Sequence, residues 1–182
     1  ALCVNSIKTG TYPTTLETLS FQAKLALKHI FTSRAPDALT CQHVGQHRLY
    51  FRHYCEMMYL FDEVFIQKLY YFAASTQTPF IIDCGSHIGT TVLFFKSLYP
   101  QAKVIAIEPH DKSFALLTKN IEANALSNVT TYKKALHDHD GTIKFYHGGG
   151  WSPTQSSVIK YKAFGQVQEV ECMSLAELIN EP

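Results

Sequence analysis

The sequence predicts an α/β fold built on a doubly wound parallel sheet, with a helical segment capping its N-terminal side. Three observations carry this. Phe80, Ile81 and Ile82 form a short continuous apolar run, the pattern of a strand buried on both faces of a parallel sheet. Gly85 and Gly89 then punctuate a loop, and Val92, Phe95 and Tyr99 recur at helical steps until Pro100 stops the helix. A second apolar run, Val104-Ile105-Ala106-Ile107, ends on an acid, Glu108. Strand, glycine loop, helix, strand is a right-handed βαβ crossover, which places a ligand at the carboxyl end of its first strand.

Composition narrows the classes. A chain of 182 residues is long enough for one ordinary domain with a real core. With a formal net charge of +1 there is no basic excess, so nothing argues for a nucleic-acid or anionic-membrane surface. No apolar run approaches the roughly 20 residues of a membrane span. Cys3, Cys41, Cys55, Cys84 and Cys172 are odd in number and lack a C-x-x-C pair. That pattern suits reduced thiols in a cytoplasmic protein better than a disulfide framework or a zinc site.

Taken in order, residues 1–75 read as an N-terminal helical cap or lid, and residues 76–182 as the cofactor-binding domain. Thr14 and Glu17 resemble a capping box, and Leu16, Leu19, Ala23, Ala26, Leu27 and Ile30 mark one helix face. Residues 33–37 read as a loop and 48–52 as a strand. Helical periodicity returns over 56–72, through Met57, Leu60, Phe61, Val64, Phe65 and Tyr71. This region is either a lid, with Glu63 or Tyr59 facing the site, or a packing cap for the sheet; the cap is the simpler reading. After Glu108, Asp111 is expected to cap a helix carrying Phe114, Leu117 and Ile121. Val129-Thr130-Thr131-Tyr132 is a third strand whose end, Lys134-Ala135-Leu136, is expected beside the glycine loop. His137-Asp138-His139-Asp140-Gly141 invites a metal reading. A polar run closing on Asp-Gly before a β segment is a hairpin turn first, and no metal site is assigned. Residues 142–146 and 167–172 alternate as strands. Gly148-Gly149-Gly150-Trp151 between them is a loop, either a substrate-side flap or plain surface. Ser174 and Glu177 form a second capping box, opening a short helix.

The chemistry concentrates between Asp83 and Glu108. Glycines let a backbone pass close beneath a ligand, and the first amides of the following helix are free to meet it. Glu108 lies 25 positions after Asp83, where a carboxylate accepts hydrogen bonds from both hydroxyls of a ribose. A nucleoside-type cofactor site follows. The dinucleotide fingerprint would need glycine at positions 87 and 90, which hold His87 and Thr90. What remains, Asp-x-Gly-x-x-x-Gly, resembles the first motif of class I S-adenosylmethionine-dependent methyltransferases. A bare glycine turn is the alternative, and the acid ending the second strand weighs against it. Asp83 is expected to fix the loop indirectly, Cys84 to be a buried, unreactive thiol, and Glu108 to have little packing to lose.

A more specific resemblance joins these pieces. Ile82-Asp83-Cys84-Gly85-Ser86-His87-Ile88-Gly89, Leu98-Tyr99-Pro100, Ile107-Glu108-Pro109, Asn120-Ile121, Ala135-Leu136, Asp140-Gly141 and Ser174-Leu175-Ala176-Glu177-Leu178 together resemble the FkbM-type methyltransferases. So does Asp62-Glu63-Val64-Phe65 with Tyr70-Tyr71-Phe72. The resemblance implies a Rossmann-like class I methyltransferase sheet, of which this chain carries the N-terminal half. It implies S-adenosylmethionine, held by Asp83, Gly85, Ser86, His87, Ile88, Gly89, Glu108, Pro109, Ala135 and Leu136. It implies methyl transfer to a hydroxyl of a sugar or natural-product-type small molecule, with neither nucleic acid nor a membrane span involved. The family commonly has Asn where His87 stands, and it continues into an Asp-x-Glu-Gly strand that this chain lacks. The chain is therefore expected to be truncated before the later strands and inactive by itself. No catalytic residue is assigned; His87 as a base competes with a histidine merely packed beside the loop. A non-catalytic cofactor- or protein-binding module is the second reading, and an NAD enzyme with an irregular loop ranks below it.

Overall fold

The computed structural model describes residues 15–32, 38–147, 156–157 and 166–180. Its centre is a parallel sheet of β3 (Phe80–Cys84), β4 (Lys103–Ile107) and β5 (Val129–Tyr132), in that spatial order. Helices α3 (Thr90–Leu98) and α4 (Asp111–Ala123) make the two crossovers. The register sets Phe80 against Lys103 and Cys84 against Ile107, so the glycine loop leaves β3 level with the end of β4. Strand periodicity sends alternate residues to opposite faces. Ile81, Val104 and Ala106 join the main core with α3 and α4. Ile82, Ile105 and Ile107 pack on the other face with Tyr132, Leu136, Met173 and Leu178. Both faces are covered, which is why these strands read as unbroken apolar runs.

All nine residues of α3 are buried. Aromatic side chains of the N-terminal segment close over them, with Phe65 edge-on to Phe94 at 5.7 Å. Lys96 is accommodated there by donating to the Ala102 carbonyl at 2.9 Å.

The N-terminal segment departs from its sequence reading in three places. Helix α1 (Thr15–Thr32) buries Phe21 and Leu25, while Leu16, Leu19 and Leu27 of the expected face are exposed. The ring of Phe21 lies 4.4 Å from that of Phe61 in a tilted contact, which faces this side of the helix inward. The strand expected over 48–52 is β2 (His47–Phe51), and it pairs in a hairpin with an unexpected strand, β1 (Thr40–Val44). The helix expected over 56–72 is α2 (Tyr54–Phe61) followed by one π turn, Asp62–Ile66. There the Gln67 N–H bonds the Asp62 carbonyl at 2.8 Å, and Lys68 at φ +55° ends the helix. Tyr71 and Phe72 run on without helix, and the Phe72 carbonyl accepts from the Tyr99 hydroxyl at 2.8 Å.

Beyond β5 the chain does not continue one strand through Leu136. It breaks at Lys133, and β6 (Ala135–His137) enters a second sheet, pairing parallel with β9 (Gln166–Ser174). That sheet has the order β6-β9-β7-β8, with β7 (Gly141–His147) antiparallel to β9 and β8 (Ser156–Ser157) beside β7. The Asp140 carboxylate accepts from the Ser174 N–H at 2.6 Å, and Ser174 Oγ caps α5 (Leu175–Asn180) through the Glu177 N–H at 3.1 Å. Asp111 is the first residue of α4 rather than its cap, which is His110. Thr14, the 33–37 loop and the triple glycine with Trp151 lie outside the described residues. Among the described residues Cys41, Cys55, Cys84 and Cys172 form no disulfide, and no described helix is long and apolar enough to cross a membrane.

Candidate active site

The loop after β3 is built on an anchored acid. Asp83, buried at the strand end, accepts from Thr91 Oγ1 of α3 at 2.5 Å, while its carbonyl accepts from Ser86 Oγ at 2.9 Å. Burial pushes its carboxyl above the ordinary range, and the Thr91 bond opposes the shift. The amides of Gly85 and Ser86 both donate to the Ile107 carbonyl at 2.9 Å, folding the loop over the tip of β4. Gly85 and Gly89 lie at φ +85° and +86°. A Cβ on Gly89 would stand 2.8 Å from Leu117 Cδ1, so a side chain there would displace the buried Leu117 side chain and also strain the left-handed backbone. A Cβ on Gly85 would meet nothing within 4 Å, so the loop leaves open space on that side.

Glu108 ends β4 and is buried. One carboxylate oxygen accepts from the His87 N–H at 3.0 Å and the other from the His110 N–H at 2.8 Å. Burial raises its proton affinity; the His110 bond and the charge of a protonated His87 work the other way. The expectation that Glu108 has little to lose is thus corrected: it pins the glycine loop on one side and the chain after Pro109 on the other. Each oxygen keeps a lone pair for a further donor.

Three residues around this centre were given no role by the sequence reading, although Asn120 is part of the resemblance. Glu56, in the first turn of α2, is buried with Oε1 3.3 Å from His87 Nε2. His110 bonds Ser113 Oγ through Nδ1 at 3.0 Å, and its ring stands 4.9 Å from that of His147. Burial lowers its pKa, helped by His147 and His87. Asn120 of α4 donates to the carbonyls of Ile88 and Tyr50 and accepts from the Tyr50 N–H, lacing loop, helix and hairpin together. The position of His110 directly after Glu108-Pro109 is a signal in hindsight. Glu56 has none, because only the fold brings α2 to the loop.

The remaining expected residues divide. Ile88 is a core side chain. Leu136 packs with Ile107 at the end of β4, while Ala135 turns to Phe145, Val170 and Cys172 in the second sheet. Cys84 is exposed, not buried as expected; its thiol is nonetheless pushed up by partial burial and by Asp83. Glu63 accepts from the exposed Tyr70 hydroxyl at 3.2 Å, and Tyr59 is exposed. His137 and His139 each place Nδ1 2.6 Å from Asp138 Oδ1, in an exposed turn where their bonds hold the Asp138 carboxyl below its usual range.

A parallel sheet with an acid-anchored glycine loop after its first strand and a buried acid ending its second is the Rossmann-like arrangement of class I methyltransferases, here in part. Residues 83–182 match the Methyltransferase FkbM domain, and the chain belongs to that family. Methyltransferase sdnD of Sordaria araneosa is 36% identical over 89 residues, 48% of this chain and 34% of that protein. Methyltransferase 1 of Beauveria bassiana is 32% identical over 88 residues, 48% of this chain and 35% of its own length. The chain thus matches about a third of the length of these curated relatives. Among solved structures, methyltransferase FkbM from Methylobacillus flagellatus covers 60% of this chain and 25% of its own, at a TM-score of 0.40 and 13% identity. M. jannaschii TYW2 in complex with AdoMet covers 52% and 42%, at a TM-score of 0.39 and 20% identity.

Proposed function

We propose that the protein is an S-adenosylmethionine-dependent methyltransferase acting on a hydroxyl of a small molecule of the sugar or natural-product type. The observation that carries the cofactor reading is Glu108: a buried carboxylate at the tip of β4, both oxygens oriented by backbone N–H groups, each with a lone pair left. The open side of Gly85 gives the methionine part room above the loop. Asp83 acts through Thr91 and Ser86 rather than as a primary contact. On this reading Ser86, His87, Ile88 and Gly89 complete the loop and Pro109 and Leu136 would border the adenosine side, while Ala135, packed in the second sheet, would act only indirectly.

S-adenosylmethionine held by these residues would supply an activated methyl group for transfer to the acceptor oxygen. The chain's own part is to hold the reactants in line and exclude water. A non-catalytic module that binds the cofactor without turnover is the second reading, separated from the first by assaying methyl transfer to hydroxylated acceptors.

Titration calorimetry with S-adenosylmethionine tests the site. Hydrogen bonds to a charged acceptor are worth roughly 1.5–3 kcal/mol. Glu108→Gln, which keeps the shape but loses the charge and one acceptor, weakens binding about tenfold, and Glu108→Ala weakens it further. Unchanged affinity in Glu108→Ala would mean that the ribose is held elsewhere and the reading falls.

A further inference from the structure

His87 is the one non-glycine residue of the loop with a left-handed backbone, at φ +50°. Such a residue is strained unless its surroundings hold it. Two carboxylates from different elements do so. Its N–H donates to Glu108 Oε2 at 3.0 Å, and its ring Nε2 lies 3.3 Å from Glu56 Oε1. The side chains of Glu56 and His87 keep only 3% and 12% of their exposure. Neither ring nitrogen, nor Glu56 Oε1, has a hydrogen-bond partner among the described residues. A protonated ring would supply, across the 3.3 Å contact, the charge attraction that offsets this burial.

We propose that Glu56 and His87 are positioning residues of the cofactor loop: the imidazolium–carboxylate pair clamps the centre of the loop to α2 in its cofactor-receiving shape. The inference rests on the reading that this loop binds S-adenosylmethionine. The titratable groups facing the ring and its backbone are Glu56 from α2, Glu108 from the end of β4 and, next to Glu108, His110. The clamp needs a protonated ring. Imidazoles in general titrate between about pH 5 and 8. A neutral ring leaves the Glu56 carboxylate buried without a counter-charge, and the strained residue is then held from one side only.

Two measurements across that pH range test the pair, both on the whole chain. Amide hydrogen exchange of residues 85–89 without cofactor is expected to speed up by about tenfold more than intrinsic exchange as pH rises, the size of losing one charge-assisted contact. S-adenosylmethionine affinity is expected to fall by about the same factor. Glu56→Gln and His87→Gln each flatten both profiles, and the double variant is no worse than either single, as for residues acting as a unit. His87→Asn serves if His87→Gln does not fold. Loop exchange that follows pH, in a protein that binds no S-adenosylmethionine, supports the clamp and overturns the cofactor reading. Profiles that stay flat in the unaltered protein, or persist in Glu56→Gln, overturn the clamp.

Discussion

At the scale of single residues, the two glycines of the loop carry different burdens. Gly89 combines a left-handed backbone with a Cβ position 2.8 Å from Leu117, so Gly89→Ala should cost about 1–3 kcal/mol in denaturant melts. Gly85→Ala meets no neighbour and should cost only the backbone strain, about 1–2 kcal/mol, while obstructing the cofactor's space. Equal losses at the two sites would mean that packing under α4 is looser than described. Asp83 behaves differently again. Burial raises its carboxyl, so the folded chain binds that proton more tightly than the unfolded chain. Stability from this group is full below the unfolded value and is lost as pH rises through the raised folded one. Asp83→Asn keeps an acceptor for Thr91 and removes the buried charge. Without cofactor it should melt a few degrees higher near neutral pH, and should show less gain on mild acidification. Unaltered melting curves across pH would assign the linkage to Glu108, whose carboxyl burial raises in the same sense.

At the scale of elements, Asn120 shows what binds the pieces. Its side chain satisfies two carbonyls and one N–H from β2 and the glycine loop, at 2.7 to 3.0 Å. Asn120→Ala strands those groups in a buried setting, at about 1–3 kcal/mol for each one left unpaired. Chemical denaturation should show a loss of several kcal/mol; a loss below ~1 kcal/mol would mean that water replaces the amide. The βαβ unit was legible because its signals are local: apolar runs, Pro100 after the helix, glycines where φ is positive. The Ser174 cap was legible for the same reason. The N-terminal segment was not, since its choices are tertiary. Leu16, Leu19 and Leu27 have helical spacing as good as that of Phe21 and Leu25, and only the aromatic partner Phe61 decides which side is buried. The π turn after Phe61 depends on backbone bonds that periodicity does not encode. Likewise Ala135 looks like the end of a strand, yet pairing with Cys172 takes it to another sheet. In the site, Asp83, the glycines and Glu108 were found by type and spacing, whereas Glu56 required the fold.

At the scale of the whole molecule, the question is whether residues 1–75 form a separate lid or part of one cooperative body. One continuous apolar cluster contains Phe21, Leu25, Phe51 and Phe61 together with Val92, Phe94, Val104 and Leu117, crossing the boundary expected near residue 75. Polar ties follow the same route, from Tyr50 to Asn120, Phe72 to Tyr99, and Glu56 to His87. A cap built this way cannot swing open without exposing α3, whose nine residues are all buried. Unfolding should therefore be a single transition in which amides of α2 and β1–β2 report the same free energy as those of β3 and β4. Cofactor binding should then stabilise both regions alike, by about 2.7 kcal/mol at a hundredfold excess of ligand over Kd. Hydrogen exchange with and without S-adenosylmethionine measures this directly. Uniform protection from residue 38 to residue 132 supports one body. Opening of α1, α2 and the hairpin at lower free energy, with protection confined to residues 80–132, would instead make the N-terminal segment a lid. In that case Glu56 would be a contact made on closing rather than one built into the fold.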